Sequence, residues 1–591
     1  MVSLVIAFTL TPMLAARILS ATPAADPGAL PEGPTSKEAG VYHRLEAGYE
    51  RALGWCLRHR AVCLLVAAGI LVSGFYLLKK TPLEFVVDDD MSEFEVVAEG
   101  PPGSSLERSA EITRAMEAEI RKVPEVTTLF TTIGVRGQYQ SNVTDLSLYV
   151  GLTHLSARQR LQPEIMQDVR GKLSIFPGLR VSVQQINLIS SGGFRQTPFN
   201  LILRGPDLGR LEQYAAGVIQ QLKARTGFVD LDTAQSLRQP EVQVHIDRHK
   251  ASDLGVRVDA VAAALRTMVG GEKVGFYREA GEQYDVRLRL KEDFRGDASV
   301  LSAVTVPGGS GSLVKLANVT TLGAGMSPGQ IERYAQERSI TIISNLYQKP
   351  LADAFKEAYA AVAGEQMPPE YGIQTSGRGK LLQESIQSFL VAFVLSLAFI
   401  YIVLAAQFES FVHPLTIMVS MFLAIPFGIV TLLVVGKTLN IYSIMGLFLL
   451  MGVVKKNAIL QVDYTNVLRG RGLGREEAQM QADRARLRPI LMTTLAIIAG
   501  MLPVALGKGD GSASRASLAT AVVGGQALCL VVTLLMTPVI YSSFDDLGRL
   551  RVFSWIRFPR RRRALAGRVV WEQSRTAPPA ASSPPSGARD R

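Results

Sequence analysis

Residues 452–464 read GVVKKNAILQVDY, and two lysines, Lys455 and Lys456, stand there inside a run that is otherwise apolar from Ile444 to Val462. An ammonium at bilayer depth costs a few kcal/mol even on lenient insertion scales, so one that is kept there usually faces a polar interior and an opposite charge. Neighbours on a helix point about 100° apart, so the two lysines cannot share a direction. The competing reading, a side chain reaching up to a headgroup, is opposed by the apolar residues that continue for about a turn and a half before Asp463 and for several turns upstream. Asp463 lies seven residues after Lys456, two turns away on the same face, too far for a direct pair. The remaining apolar runs carry no acid near their middles, so the carboxylate that answers Lys456 is expected from another segment.

Other chemistries find little support. GxxxxGK[ST] does not occur, and the glycine clusters PGGSGSLV and GKGDGSAS lack both its Lys-Ser/Thr ending and a strand-to-helix setting, which disfavours ATP-driven chemistry. His245 and His249 have a metal-like spacing only on a helix, whereas VQVHID alternates as a strand, so no metal site is expected. Six scattered histidines and three cysteines (Cys56, Cys63, Cys529) in or beside apolar runs imply neither a catalytic triad nor a disulfide framework. No enzyme and no cofactor are expected.

The elements that position Lys456 follow from composition. The chain has 591 residues, 48% of them apolar, and a net charge of +11. Much of that excess sits in short segments beside apolar runs and in the tail RFPRRRR, a pattern of cytoplasmic anchoring and not of nucleic-acid binding. Seven candidate spans fall at roughly 2–19, 61–78, 386–406, 412–435, 440–463, 489–507 and 517–541. Arg469, Arg471, Arg475, Arg484, Arg486 and Arg488 make 464–488 a cytoplasmic loop, which places residues 20–60 inside and 79–385 outside. The first span lacks the features of a signal peptide, and the chain is expected to begin in the middle of something larger.

The outer segment is a different material. FEVVAEGPPGSSLERSAEITRAMEAEIRKVPEVTTLF (94–130) and FNLILRGPDLGRLEQYAAGVIQQLKARTGFVDLD (199–232) share one plan of strand, Gly-Pro turn, helix and β-branched strand. Strand-then-helix units recur at 241–271 and 339–364. Several split βαβ sandwiches in series are expected.

GVVKKNAILQVDY, followed about thirty residues on by RLRPILMTTLAIIAGMLPVALGKGDGSASRASLATAVVGGQ, closely resembles the tenth to twelfth membrane helices of resistance-nodulation-division exporters of the hydrophobe/amphiphile, acriflavine-resistance type. AAQFESFVHPLTIMVSMFLAIPFGI is similar to that family's eighth-to-ninth helix junction, and FTLTPMLAARIL to its sixth helix. The resemblance runs to about residue 545. It implies an α-helical polytopic membrane protein with a large periplasmic α+β insertion of repeated split βαβ, ferredoxin-like, subdomains, sited in the bacterial inner membrane. A homotrimer driven by protons and working with a periplasmic adaptor and an outer-membrane channel is implied as well. The implied organisation is a membrane helix at 1–19, a cytoplasmic linker with an amphipathic helix at 20–60, a membrane helix at 61–78, porter and funnel subdomains at 79–385, five membrane helices at 386–545 and a basic tail at 546–591.

In such pumps a lysine of the tenth helix pairs with two aspartates of the fourth, and an arginine and a threonine of the eleventh complete the relay. The matching strings assign these roles to Lys456, Arg486 and Thr493, with Asp463 a secondary polar group. Lys455 departs from the usual small residue. Phe130 matches a pocket phenylalanine, and Tyr139 stands where the switch-loop phenylalanines are missing. The same match implies that the N-terminal half, with both aspartates, lies outside this chain. A truncated remnant and a heavy-metal exporter of the same superfamily are the alternatives; against the latter, the outer-segment methionines show no ligand-like spacing.

Overall fold

The computed structural model describes residues 41–549 except 137–138, 141, 187–194, 236–237, 292–293 and 295–297, together with Met13 and Arg17. The expected span at 2–19 and the tail beyond 549 therefore lie almost wholly outside the described residues.

Helix α1 (Val41–Arg58) leads into α2 (Arg60–Lys80). Next comes β1 (Glu93–Glu99), α3 (Leu106–Ile120), β2 (Val126–Ile133), β3 (Asp145–Leu152), α4 (Gln162–Leu173) and β4 (Arg180–Gln185). These four strands pair in the order β2-β3-β1-β4. The inward residues Phe94, Val96 and Ala98 of β1 are fully buried against Met116 and Ile120 of α3 and Ile165 and Val169 of α4. Period-two strands thus meet helices that each offer one apolar stripe.

The plan then repeats. β5 (Phe199–Gly205), α5 (Leu208–Lys223) and β6 (Phe228–Thr233) are joined, after a long insertion, by β7 (Glu337–Leu346), α6 (Leu351–Gly364) and β8 (Gly372–Thr375). β7 pairs with both β5 and β6, and β8 with β5, so the order β6-β7-β5-β8 is that of the first sheet. Residues 339–364 complete this second sheet and do not form a unit of their own. Residues 241–271 likewise form no separate sandwich: among the described residues the strand Arg238–Ile246 pairs only with Thr320–Pro328, inside the insertion between β6 and β7. Arg170 of α4 makes a two-pronged ion pair with Asp230 of β6, at 2.6 and 2.8 Å, and so fastens the first sheet to the second.

After β8 the chain becomes α7 (Arg378–Phe408), α8 (His413–Phe422), α9 (Ala424–Val434), α10 (Ile441–Gly470), α11 (Arg475–Ala505) and α12 (Ala513–Arg549). Taking α8 and α9 as one crossing, the described residues contain six helices long and apolar enough to cross a membrane. The expected loop at 464–488 is overturned: helix continues through Gly470 and resumes at Arg475, leaving only four residues between. Gly472, with φ +97°, makes that turn possible. The polar stretch stays helical because its cations have partners: Arg469 and Arg475 each reach Asp545 at 3.2 Å, and Arg484 reaches Glu46 at 2.8 Å.

α12 is the hub of the bundle, and Gly446 of α10 lets it come close, since a Cβ there would meet the Leu518 carbonyl oxygen at 2.6 Å. Small residues allow such approach where helices pack in lipid.

Candidate functional site

The site is organised around α10. Its first turn is fixed by a reciprocal cap: the Asn440 side chain accepts from the amides of Tyr442 and Ser443, each at 3.0 Å, while the Ser443 hydroxyl accepts from the Asn440 amide at 2.7 Å. The strap 82–85 runs beside this start. Leu439 N donates to Pro82 O at 2.8 Å and Glu84 N to Leu439 O at 3.0 Å, and the Thr438 hydroxyl donates to the Glu84 carboxylate at 2.8 Å. Burial pushes the Glu84 carboxyl up to about 7.

The three aspartates that follow each hold a different element. Asp88 faces Arg378 at the start of α7 at 3.6 Å. Asp89 accepts from the amides of Ala513 and Ser514 at the start of α12, and Asp90 accepts from the Gln162 amide at the start of α4 at 2.9 Å. Carboxylates at helix N-termini answer both the free amides and the helix dipole. Composition alone gave no hint of this division of labour.

Two stripes run down α10. Ser443, Gly446, Leu450, Val454, Asn457, Gln461, Thr465 and Leu468 are buried. Met445, Leu449, Gly452, Lys456, Asp463 and Val467 are exposed. Lys456 and Asp463 therefore share an uncovered face, and Lys456 has no ion pair among the described residues. Lys455 is half-buried and equally unpaired among them.

The other sequence-predicted residues lie on α11. The Arg486 guanidinium sits over the Tyr464 ring of α10 at 4.8 Å, and its Nε has no hydrogen-bond partner among the described residues. The Thr493 hydroxyl donates to Ile490 O at 3.1 Å. Because α10 and α11 are antiparallel neighbours, the level of Tyr464 and Arg486 puts Lys456, eight residues back, beside Thr493, seven residues on, at about the same depth given ~1.5 Å per residue. Lys456, Arg486 and Thr493 thus belong to one helix pair, with no hydrogen bond or ion pair between them among the described residues.

One acid escapes the sequence reading. Asp483 falls in the expected loop, yet it is a helical residue only 1% exposed, and neither carboxyl oxygen has a hydrogen-bond partner among the described residues. The apolar runs themselves carry no acid near their middles, as expected; Asp483 lies before the run 489–507, in the stretch read as a loop. The available signal was the spacing of Ala478, Gln479, Ala482, Asp483, Leu487 and Ile490, all buried and all on one helical stripe.

Phe130 stands 64% exposed on β2, opposite Tyr149 of β3. Tyr139 pairs with Arg136 in a two-residue ladder, and its side chain lies outside the described residues. A cavity of about 470 Å³ opens elsewhere, between the strap, α4 and the second sheet, with Glu84, Asp88, Met166, Arg170, Asn345 and Arg378 in its wall. Among the described residues no group of three or more His, Cys, Asp or Glu side chains could hold a metal ion. Met116 and Met166 fill the core of the first sheet, and Met268 and Met367 pack at the margins of two others.

Residues 1–545 match the AcrB/AcrD/AcrF family. The multidrug resistance protein MdtC of Yersinia pestis bv. Antiqua (strain Angola) is 28% identical over 557 residues, which is 92% of this chain and 53% of that protein. MdtC of Yersinia pseudotuberculosis serotype O:3 (strain YPIII) gives the same figures. Two crystal forms of a heavy metal efflux pump superpose with a TM-score of 0.76, at 24% and 25% identity, over 86% of this chain and 53% of theirs. The chain spans about half the length of the relatives it matches.

Proposed function

Since this chain belongs to the AcrB/AcrD/AcrF family, a family of transporters and not of enzymes, we propose that it is the C-terminal half of a proton-coupled exporter of hydrophobic or amphiphilic compounds. The observation that carries this reading is the uncovered stripe of α10, where Lys456 and Asp463 stand among apolar residues with nothing from the described residues opposite them. An N-terminal half packs on that stripe and brings carboxylates to Lys456. When one of those carboxylates takes up a proton its charge is lost, Lys456 loses its partner and the helices repack. The field contributes about 2.3 kcal/mol per proton per 100 mV. Arg486 and Thr493, on the neighbouring helix, complete the relay.

In this reading the protein is an inner-membrane one, with the two α+β sheets and their insertion on the periplasmic side as porter and funnel subdomains. A trimer, an adaptor and an outer-membrane channel come with the family. The cavity beside the strap admits substrate, and its wall is tied through Glu84 and Thr438 to the start of α10, so substrate entry and the lysine share one connection. The part of Phe130 and Tyr139 in a substrate path rests on resemblance alone. A heavy-metal cargo is the second reading, suggested by the superposing heavy metal efflux pump; the burial of Met116 and Met166 in a core and the packing of Met268 and Met367 against two others speak against it.

The test is complementation. Expressed with a matching N-terminal half in a dye-sensitive strain, the chain should restore dye efflux, and Lys456→Met should return efflux to background while leaving the amount of folded protein unchanged. Undiminished efflux in that variant defeats the relay, and no efflux from the paired wild-type halves favours a non-transporting remnant.

A further inference from the structure

Asp483 is used by nothing above. Other buried acids in this protein are answered: Asp230 by Arg170, and Glu46 by Arg484. Among the described residues Asp483 has no counter-charge and neither of its oxygens has a hydrogen-bond partner, and the polar side chains around it each direct at least one bond elsewhere. Gln461 Nε2 donates to Leu534 O at 3.3 Å, Gln479 Nε2 donates to Pro538 O at 2.8 Å, and the Thr465 hydroxyl donates to Gln461 O at 2.8 Å. These side chains and Tyr541 surround a cavity beside the carboxyl with about 10 Å³ open to the centre of a water molecule, room for roughly one water. One helical turn on, the Arg486 Nε also lacks a partner among the described residues. Residues three apart are neighbours on a helix surface, so a change of rotamer brings this acid and this base together.

We propose that Asp483 is a second proton-binding site of this chain, on α11 and not on the Lys456 face, which shares Arg486 with the relay proposed above, and that Arg486 alternates between the Tyr464 ring and the Asp483 carboxylate. A buried carboxylate with neither donor nor counter-charge is a very costly arrangement, whereas the neutral acid can donate its O–H to the cavity water or to the Gln461 amide oxygen. Arg486 is on Tyr464 in the arrangement seen, and the state proposed for Asp483 there is the neutral acid. When Arg486 turns to Asp483, the O–H bond breaks, the electron pair stays on the carboxylate, the proton passes through the cavity water to the loop-side solvent, and the guanidinium is charged throughout. The titratable and charged groups around the site are Tyr49 and Cys56 of α1 with the Glu46–Arg484 pair, Tyr464 of α10, and Tyr541 with the Arg469–Asp545 pair. Only the direction of proton release rests on the export reading; the existence of the site does not.

Infrared titration of the full chain in nanodiscs tests it without any transport assay. The wild-type protein should show a protonated-carboxyl band that Asp483→Asn removes, Asp483→Glu moves and the exposed control Glu477→Gln leaves in place. Arg486→Gln should raise the pH at which the band is lost by about one unit or more, because an opposite charge that favoured the anion is gone. The proposal is overturned if Asp483→Asn leaves the band unaltered, if Arg486→Gln leaves its midpoint unmoved, or if replacing sodium by potassium at fixed pH shifts it, which would make the site a sodium site. Loss of efflux with the band intact would count against the export reading alone.

Discussion

The two stripes of α10 have almost the same spacing and opposite fates. Ser443, Gly446, Leu450, Val454, Asn457, Gln461 and Thr465 are covered, many of them by α12, and Ser443, Gln461 and Thr465 find hydrogen-bond partners within the chain. Met445, Leu449, Gly452, Lys456, Asp463 and Val467 are uncovered, and Lys456 has no pair among the described residues. A helix in lipid gains little from burying one apolar face instead of another, because lipid tails are as apolar as leucine. Close backbone approach and polar pairing therefore decide which stripe is inside, and the difference shows where the described residues stop supplying partners.

The largest effect on that contrast should come from Gly446→Val. Its added carbons run into the Leu518 backbone, which cannot step aside as a flexible side chain would, so a loss of about 2–3 kcal/mol is expected in thermal or denaturant unfolding. Gly452→Val is the matching change on the open stripe, where a Cβ meets nothing within 4 Å. It should leave the chain's own unfolding within about 0.5 kcal/mol of wild type yet cut dye efflux several-fold once the N-terminal half packs there. Equal damage to unfolding from both substitutions would erase the distinction between the stripes. Asn440→Ala acts on the start they share and should cost about 1 kcal/mol, seen as a lowered melting midpoint with no preference between them.

The smallest effect concerns the strap beside that start. Glu84 is neutral in the fold up to about pH 7, well above its ordinary value of 4.5. Between those pH values the folded state binds more protons than the unfolded one, so this group's contribution to stability falls as pH rises through the window and is constant above it. Glu84→Gln should flatten the melting midpoint against pH over that range; an unchanged slope would place the titrating group elsewhere.

Much of this was legible beforehand because it rests on local rules. The apolar runs at 61–78, 386–406, 412–435, 440–463, 489–507 and 517–541 each meet a helix of the bundle. The Gly-Pro turns at Gly100-Pro101 and Gly205-Pro206 mark where β1 and β5 hand over to α3 and α5. Asp483 was hidden because the surrounding arginines read as a hydrated loop, whereas Arg484 pairs with Glu46, and Arg475 with Asp545 and Asp546, within a stretch that is helical.

The sequence by itself determined the helical spans, the doubled βαβ plan and the lysine in an apolar run, since periodicity and composition act within a few turns. The tertiary structure alone decided which stripe of α10 is covered and that Asp483 is buried beside Arg486, whose Nε has no hydrogen-bond partner among the described residues. The reason is physical: a helix apolar on every side carries no record of its neighbours, and a carboxylate's surroundings are set by segments far away in the chain.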